Sequence, residues 1–85
     1  MKSFTYVIKE KLGIHARPAG LLSREARKYS SNCTLYANGK SVDLKKLIAL
    51  MALCVKQGAE VTVNIEGEDE NIAASNIEDF FKENL

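Results

Sequence analysis

The alternation of apolar and polar positions predicts four β-strands. Residues 4–8 and 61–65 carry apolar or aromatic side chains at every second position, as strands with one buried face do. Residues 32–37 and 40–43 are predicted to form two shorter strands. Between them, Asn38-Gly39 is typical of a two-residue hairpin turn, because both residues tolerate the positive φ that this turn requires.

Helical spacing of apolar residues predicts three helices. The first covers residues 17–29, and the second covers residues 44–55, with Gly58 as a stop in the left-handed conformation. The third follows a turn at 67–69, with Asp69 as its N-cap. The residues that this third helix should bury are Ala73, Ala74, Ile77, Phe80 and Phe81.

The predicted elements follow the order β-α-β-β-α-β-α. Short hairpins and one-sided alternation favour an antiparallel sheet with helices packed on one face. A chain of 85 residues is long enough for one domain and too short for two. We therefore predict an α+β fold in a single domain that covers residues 1–85.

The second predicted helix is too apolar to be buried on all sides in so small a domain. Leu50 and Leu53, together with Leu44 or Val55, can face the core. The remaining large side chains would then be partly exposed, and they are Leu47, Ile48 and Met51. An exposed apolar patch of this kind is typical of a protein interface. The alternative is that Ile48 or Met51 turns inward.

The candidate chemistry lies at the start of the first helix, where the only histidine and the only proline are three residues apart. Pro18 suits the first helical turn, where its missing N–H has no intrahelical partner, and it disfavours full helical geometry at Arg17. His15 should lie just before or at the helix N-terminus, where free amides and the helix dipole can hold an anion. The dipole and Arg17 both favour a neutral imidazole, which is a nucleophile. A phosphoryl group on this ring would lie near the amides of Ala16 and Arg17 and near the Arg17 guanidinium. The alternative is a plain N-cap or loop histidine.

A basic stripe is predicted to run along the first helix, away from His15. Arg17, Gly20, Arg24 and Arg27 are spaced by three or four residues and share one face. Glycine inside a helix costs about 1 kcal/mol relative to alanine, so its presence favours the close approach of another surface. A solvated basic face with an indifferent glycine is the alternative.

The composition is that of an ordinary globular protein, with 46% hydrophobic and 27% charged residues. A net charge of +1 says nothing about a nucleic-acid partner, but the strands carry a single outward aromatic residue, Tyr36, and this argues against one. The beginning of the chain has no long apolar run, so we expect neither a signal peptide nor a membrane span. Cys33 and Cys54 lack metal-binding spacing, and we interpret them as free thiols in a reducing cytoplasm that serve in packing.

The segment Gly13-Ile14-His15-Ala16-Arg17-Pro18-Ala19 resembles the active-site signature of the HPr family. These proteins are the histidine-containing phosphocarriers of the bacterial phosphoenolpyruvate:sugar phosphotransferase system. Residues 38–40, 44–58 and 67–71 also resemble this family, in the same order and spacing. The resemblance implies an open-faced β-sandwich, in which three helices cover one face of a four-stranded antiparallel sheet.

The resemblance also implies a function. His15 would accept a phosphoryl group from enzyme I, which phosphoenolpyruvate charges, and would pass it to enzyme IIA domains for sugar uptake. Arg17 would assist His15, and the phosphate would be held by Ala16, Arg17 and Pro18. The chain would be a carrier rather than a turnover enzyme, a cytoplasmic monomer without cofactor, metal or membrane insertion. The implied partner surface comprises Ala16, Gly20, Arg24, Arg27, Leu47, Ile48 and Met51. The alternative is a regulatory paralogue that docks on a protein partner and has little role in sugar flux.

Three positions depart from the family pattern. Lys46 stands where relatives from low-GC Gram-positive bacteria carry a serine that a kinase phosphorylates, so no regulatory serine is expected there. Leu12 replaces a usual asparagine or serine, so any such hydrogen bond at the site must come from the backbone. Cys54 replaces a common glycine, and we expect an inert, buried cysteine, with a redox-sensitive thiol as the alternative.

Overall fold

The structure, a computed structural model, describes all 85 residues and contains the seven predicted elements in the predicted order. The strands and helices are β1 Lys2–Val7, α1 Ala16–Ala26, β2 Asn32–Ala37, β3 Lys40–Asp43, α2 Leu47–Ala52, β4 Glu60–Glu66 and α3 Glu70–Asn84. No helix combines the length and the apolar character that crossing a membrane requires.

The four strands form one antiparallel sheet in the order β1-β4-β2-β3. Val63 of the central strand β4 pairs with Phe4 of β1 on one side and with Leu35 of β2 on the other. Because side chains alternate along a strand, this register places Val61, Val63 and Ile65 on one face, where all three are fully buried. The predicted alternation and the antiparallel sheet are thus confirmed.

The helices cover this apolar face and complete a core of 19 buried residues. α3 contributes Phe81, whose ring meets Phe4 and Tyr6 of β1 at centroid distances of 5.5 and 5.7 Å. The interplanar angles of 77° and 70° are those of edge-to-face pairs, which are favoured by the quadrupoles of the rings. In α3, Ala73, Ile77 and Phe81 are buried as predicted, whereas Ala74 and Phe80 are half-buried at its margin.

The first helix is shorter than predicted. α1 begins at Ala16, one residue before Arg17, so Arg17 is helical although proline follows it. The helix closes around Pro18 because the Ala19 amide donates to the His15 carbonyl at 2.9 Å. Tyr29 lies beyond the C-cap, and its hydroxyl donates to Glu25 at 2.9 Å. Tyr29 therefore fits the helical spacing of apolar residues in the sequence, although it lies outside the helix.

The second helix is much shorter than predicted, with six residues instead of the run 44–55. Before it, the Lys45 amide donates to the Asp43 carboxylate at 2.9 Å, and this local bond holds a turn in place of helix. After it, Cys54 has a φ of 53°, so the helix ends there and not at Gly58. Gly58 is left-handed too, with a φ of 88°, but it lies in the turn before β4. The four residues expected to face the core, Leu44, Leu50, Leu53 and Val55, are all buried.

The two cysteines differ in their surroundings. Both are free thiols, and Cys33 is buried, where burial raises the pKa of its thiol. Cys54 is exposed, so the prediction that it is buried in the packing is wrong. A left-handed residue directly after a helix directs the chain away from the helix axis, and this turn leaves the Cys54 side chain in solvent.

Asp69 joins two turns that are distant in the sequence. It is the N-cap of α3, as predicted, but its side chain makes no capping hydrogen bond. Its carboxylate instead accepts from the Ser31 hydroxyl and from the amides of Ser30, at 2.9 Å, and Ser31, at 3.0 Å. These bonds, the one from the Ser31 hydroxyl first among them, hold the pKa of Asp69 below its ordinary value. Gly67 permits the approach, since a Cβ there would lie 2.6 Å from Ser31 Cα.

The substitution Asp69→Asn should lower the free energy of unfolding at neutral pH. Because the pKa is depressed in the folded state, the stabilisation is complete above the ordinary aspartate pKa and disappears as pH falls through the lowered value. Urea unfolding at about pH 7 and about pH 2 should therefore show a larger difference between the two proteins at the higher pH. Asp79→Asn, a change of an exposed carboxylate without a hydrogen-bond partner, is the matched control. An equal loss at both pH values would contradict this role of the Asp69 charge.

The substitution Cys54→Gly should raise the free energy of unfolding by roughly 0.5–1 kcal/mol. A side chain in the left-handed region costs about 1–2 kcal/mol, and the greater flexibility of unfolded glycine offsets part of that gain. Urea unfolding measures the change, with Ala52→Gly on α2 as the control that should lose up to about 1 kcal/mol. A loss of stability in Cys54→Gly would show that its φ is not a source of strain.

Candidate functional site

His15 lies where the sequence predicted, at the N-cap of α1. Its backbone is extended, with φ −95° and ψ −176°, and its side chain makes no capping hydrogen bond. The imidazole is therefore not used to complete the helix, and 35% of the side chain is exposed. The ring is available for chemistry, which a capping histidine would not be.

The loop before His15 is held against the chain that follows α2. The Ile14 amide donates to the Val55 carbonyl at 3.0 Å, and the Ile14 side chain is buried. Gly13, at φ 68°, makes this approach possible, since a Cβ there would lie 2.1 Å from the Val55 carbonyl oxygen. The position of the His15 ring is thus fixed by main-chain contacts on its N-terminal side and by α1 on its C-terminal side.

His15 faces an open cleft of about 350 Å³. The residues that line it are Glu10, Leu12, His15, Arg17, Pro18, Leu21 and Asn84. Most of them are polar and the cleft is shallow, unlike the enclosed apolar pockets that hold small molecules. The cleft is better suited to the reacting group of another macromolecule.

The positive side of the cleft is formed by Arg17 and the start of α1. The Arg17 side chain is exposed, and its guanidinium makes no hydrogen bond or salt bridge within the chain. The amides of Ala16 and Arg17 belong to the first helical turn, where N–H groups have no intrahelical partner. Pro18 lines the cleft but has no N–H, so it can shape a phosphate site without donating to it. Free amides and a free guanidinium beside an exposed imidazole can stabilise a phosphoryl group on that ring.

Glu10 forms the negative side of the cleft, and the sequence analysis missed it. Its carboxylate oxygen Oε1 lies 3.9 Å from His15 Nε2, and it also accepts from the Leu12 amide at 3.4 Å. Leu21 and Asn84 were missed as well. A polar loop residue such as Glu10 belongs to no periodic pattern, and Asn84 reaches the cleft only because the end of α3 packs beside this loop. No sequence signal available from one chain would have identified these three.

The other residues of the predicted partner surface do not line the cleft, and most of them are exposed. Arg24 and Arg27 lie exposed on α1, and a Cβ on Gly20 would meet no atom within 4 Å. Nothing within the chain therefore approaches Gly20. On the neighbouring helix α2, Ile48 is 77% exposed and Met51 37%, while Leu47 is half-buried against the core. The exposed apolar patch is thus present, and its role in binding stays a prediction.

Comparison with known proteins identifies the family. The family model described as the PTS HPr component phosphorylation site matches residues 2–83. The chain belongs to the HPr family. HPr proteins are phosphocarriers of the phosphotransferase system and not catalysts in the usual sense, and membership of the family implies the general phosphocarrier role.

Individual relatives agree with this assignment. The chain is 45% identical to the HPr of Mycoplasma capricolum over 69 residues, which are 81% of this chain and 78% of that protein. A solved Mycoplasma histidine-containing phosphocarrier protein is 39% identical and has a TM-score of 0.94, over 96% of this chain and 93% of the other. Crh from Bacillus subtilis, described as a catabolite-repression protein in a swapped, intertwined dimer, is 35% identical with a TM-score of 0.77, over 100% and 98% of the two chains. The predicted family and the HPr-like open-faced sandwich are confirmed.

Proposed function

We propose that His15 carries a phosphoryl group from enzyme I to enzyme IIA domains of a sugar phosphotransferase system. The observation that carries this proposal is the exposed His15 ring at the N-terminus of α1, beside an Arg17 guanidinium that has no partner within the chain. A nucleophile with unused phosphate-binding groups around it is what a transient phosphoryl acceptor requires.

For the transfer, this chain would supply a nucleophile and groups that bind the phosphoryl oxygens. A ring nitrogen of His15 gives its electron pair to phosphorus, while the bond from phosphorus to the donor breaks and its electron pair stays with the donor. The transition state of such a transfer is loose, so positioning and charge stabilisation account for most of the catalysis. Here the amides of Ala16 and Arg17 and the Arg17 guanidinium would meet the phosphoryl oxygens, and the partner would supply the remaining groups. The chain itself needs no metal or cofactor for this step.

Donor and acceptors would use the same surface in turn. Arg24 and Arg27 would attract acidic faces of the partners, and the apolar side chains of Ile48 and Met51 would pack against them. Gly20 would allow a partner to approach α1 closely, because no atom of the chain occupies the space beside it. Since one site must meet several partners one after another, we propose that the carrier acts as a monomer in the cytoplasm.

A regulatory role is the second candidate. The observation that favours it is the similarity to Crh, which is described as the catabolite-repression HPr of Bacillus subtilis. Lys46 occupies the N-cap position of α2 and makes no side-chain hydrogen bond there, so a regulatory partner could contact its ammonium group directly. Such a paralogue would dock on a protein partner and carry little sugar flux. Phosphorylation of His15 and onward transfer to an enzyme IIA domain separate the two candidates.

Incubation with enzyme I, Mg²⁺ and phosphoenolpyruvate should add one phosphoryl group to the wild-type chain and none to His15→Ala. The bond should be acid-labile, as expected of a phosphohistidine, and intact-mass measurement before and after acid treatment tests both points. Addition of an enzyme IIA domain should then remove the group.

Enzyme I that phosphorylates another HPr is the positive control for this experiment. With that control active, an unmodified wild-type chain would contradict the proposed function and favour the regulatory candidate. A phosphoryl group on both the wild type and His15→Ala would place the acceptor elsewhere.

The double substitution Arg24→Glu, Arg27→Glu should slow phosphorylation by enzyme I, and salt should reduce the effect. We expect a loss of about 3- to 10-fold in kcat/KM at about 10 mM salt and of less than about 2-fold at about 0.5 M, because salt screens exposed charges. Lys2→Glu, at the start of β1, is the control for reversal of one charge outside the stripe. Equal losses at both salt concentrations would exclude electrostatic steering as the role of the stripe.

A further inference from the structure

Glu10 is the one acidic residue of the cleft that His15 faces. We propose that it is a positioning residue: its carboxylate holds the ring proton on Nε2, so that Nδ1 presents its free electron pair to the incoming phosphoryl group. This inference rests on the proposed function, and it names the group that orients the nucleophile.

The backbone of Glu10 is held on both sides. Its amide donates to the main-chain oxygen of Leu85 at 2.8 Å, and its carbonyl accepts from the Gly13 amide at 2.9 Å. The first bond ties the residue to the end of α3, and the second closes the turn that leads to His15. The position of Glu10 relative to the ring is therefore set by the fold and not by the side chain alone.

A hydrogen bond from the main chain also orients the side chain of Glu10. Its Oε1 atom accepts from the Leu12 amide at 3.4 Å, and this bond turns the carboxylate toward the ring. The same oxygen lies 3.9 Å from His15 Nε2. Leu12 itself is apolar, so the polar group at 3.9 Å from the ring comes from Glu10 and not from position 12.

The contact between Glu10 and His15 is electrostatic in the resting protein, because 3.9 Å exceeds a hydrogen-bond length. Catalytic hydrogen bonds are commonly long in resting sites and shorten in the reacting complex. A carboxylate that accepts from one nitrogen of an imidazole selects the tautomer in which the other nitrogen is unprotonated. The same arrangement orients the base in sites where a histidine works beside a carboxylate.

The charge that develops during transfer favours the same geometry. Nδ1 forms the bond to phosphorus, the bond from phosphorus to the donor breaks, and the donor keeps that electron pair. The ring still carries its proton on Nε2 and therefore becomes positive, next to the negative carboxylate of Glu10. Attack by Nε2 would instead bring the phosphoryl oxygens against that carboxylate, and like charges at this distance repel.

Three variants separate the charge of Glu10 from its structural role. Glu10→Gln keeps an oxygen that can accept from the Leu12 amide but removes the charge, whereas Glu10→Ala removes both. Glu68→Gln, an exposed change in the turn between β4 and α3, controls for net charge. The rate of phosphorylation by enzyme I gives the first readout. The second is ¹⁵N NMR of the ring at alkaline pH, which is unambiguous because the chain has only one histidine.

In the wild type and in Glu68→Gln, the ring proton should be found mainly on Nε2. In Glu10→Gln and Glu10→Ala the fraction of the ring protonated on Nε2 should fall to that of a free neutral histidine side chain, which has a weaker preference for the same tautomer. The value of kcat/KM for phosphorylation should fall about 2- to 5-fold in Glu10→Gln, the factor expected of a partly exposed ion pair that forms as the ring becomes positive during transfer. Mapping of the phosphoryl group to Nδ1 in the wild type would agree with this assignment.

Three results would overturn the proposal. Wild-type rate and tautomer in Glu10→Gln, with a slow Glu10→Ala, would show that Glu10 only anchors the loop. Faster phosphorylation of Glu10→Gln would show that the carboxylate opposes the phosphoryl group. A tautomer that is the same in the wild type and in both Glu10 variants would show that the carboxylate does not orient the ring. The NMR readout needs no transfer, so it tests Glu10 even if an unmodified wild-type chain contradicts the proposed function.

Discussion

The geometry of the site depends on one contact between two segments of backbone. The Ile14 amide donates to the Val55 carbonyl at 3.0 Å, and this bond joins the loop before α1 to the chain after α2. It requires glycine at position 13, because any Cβ there would overlap the Val55 carbonyl oxygen. Since both partners in the bond are main-chain groups, neighbouring side chains can differ without moving His15. The segment that leads into α1 and the segment that leaves α2 are thereby held together.

A well-packed core that supports an exposed site is well suited to a carrier protein. The core of 19 buried residues lies between the sheet and the helices, and β4 at its centre pairs with a strand on each side. The His15 ring, in contrast, is one-third exposed in a shallow cleft. A group that must pass from one macromolecule to another cannot be enclosed, because each partner has to reach the same atom. The phosphoryl group would therefore be stabilised by fixed charges around an accessible ring and not by enclosure in a buried pocket.

The charges around the ring are arranged asymmetrically. The Glu10 carboxylate lies 3.9 Å from Nε2, and the free Arg17 guanidinium lines the same cleft at the N-terminus of α1. Positive groups favour the incoming phosphoryl oxygens, whereas a negative group favours the positive charge that the ring gains during transfer. In our proposal these opposite requirements are met at the two nitrogens of one imidazole. Asp69 shows the other use of a carboxylate in this chain, since three hydrogen bonds from Ser30 and Ser31 make it a structural link.

The sequence by itself determined the features that depend on local pattern. Alternation along residues 61–65 predicted the buried face of β4, and Pro18 predicted a helix that starts beside His15. Only the tertiary structure decided the bounds of α2, because an apolar run looks the same in a buried helix and in a buried turn. It also brought Glu10 and Asn84 to one cleft, although 74 positions separate them in the chain. Periodicity reports which side of an element faces the core, whereas the loops that surround the site are placed by packing between distant segments, which no local pattern records.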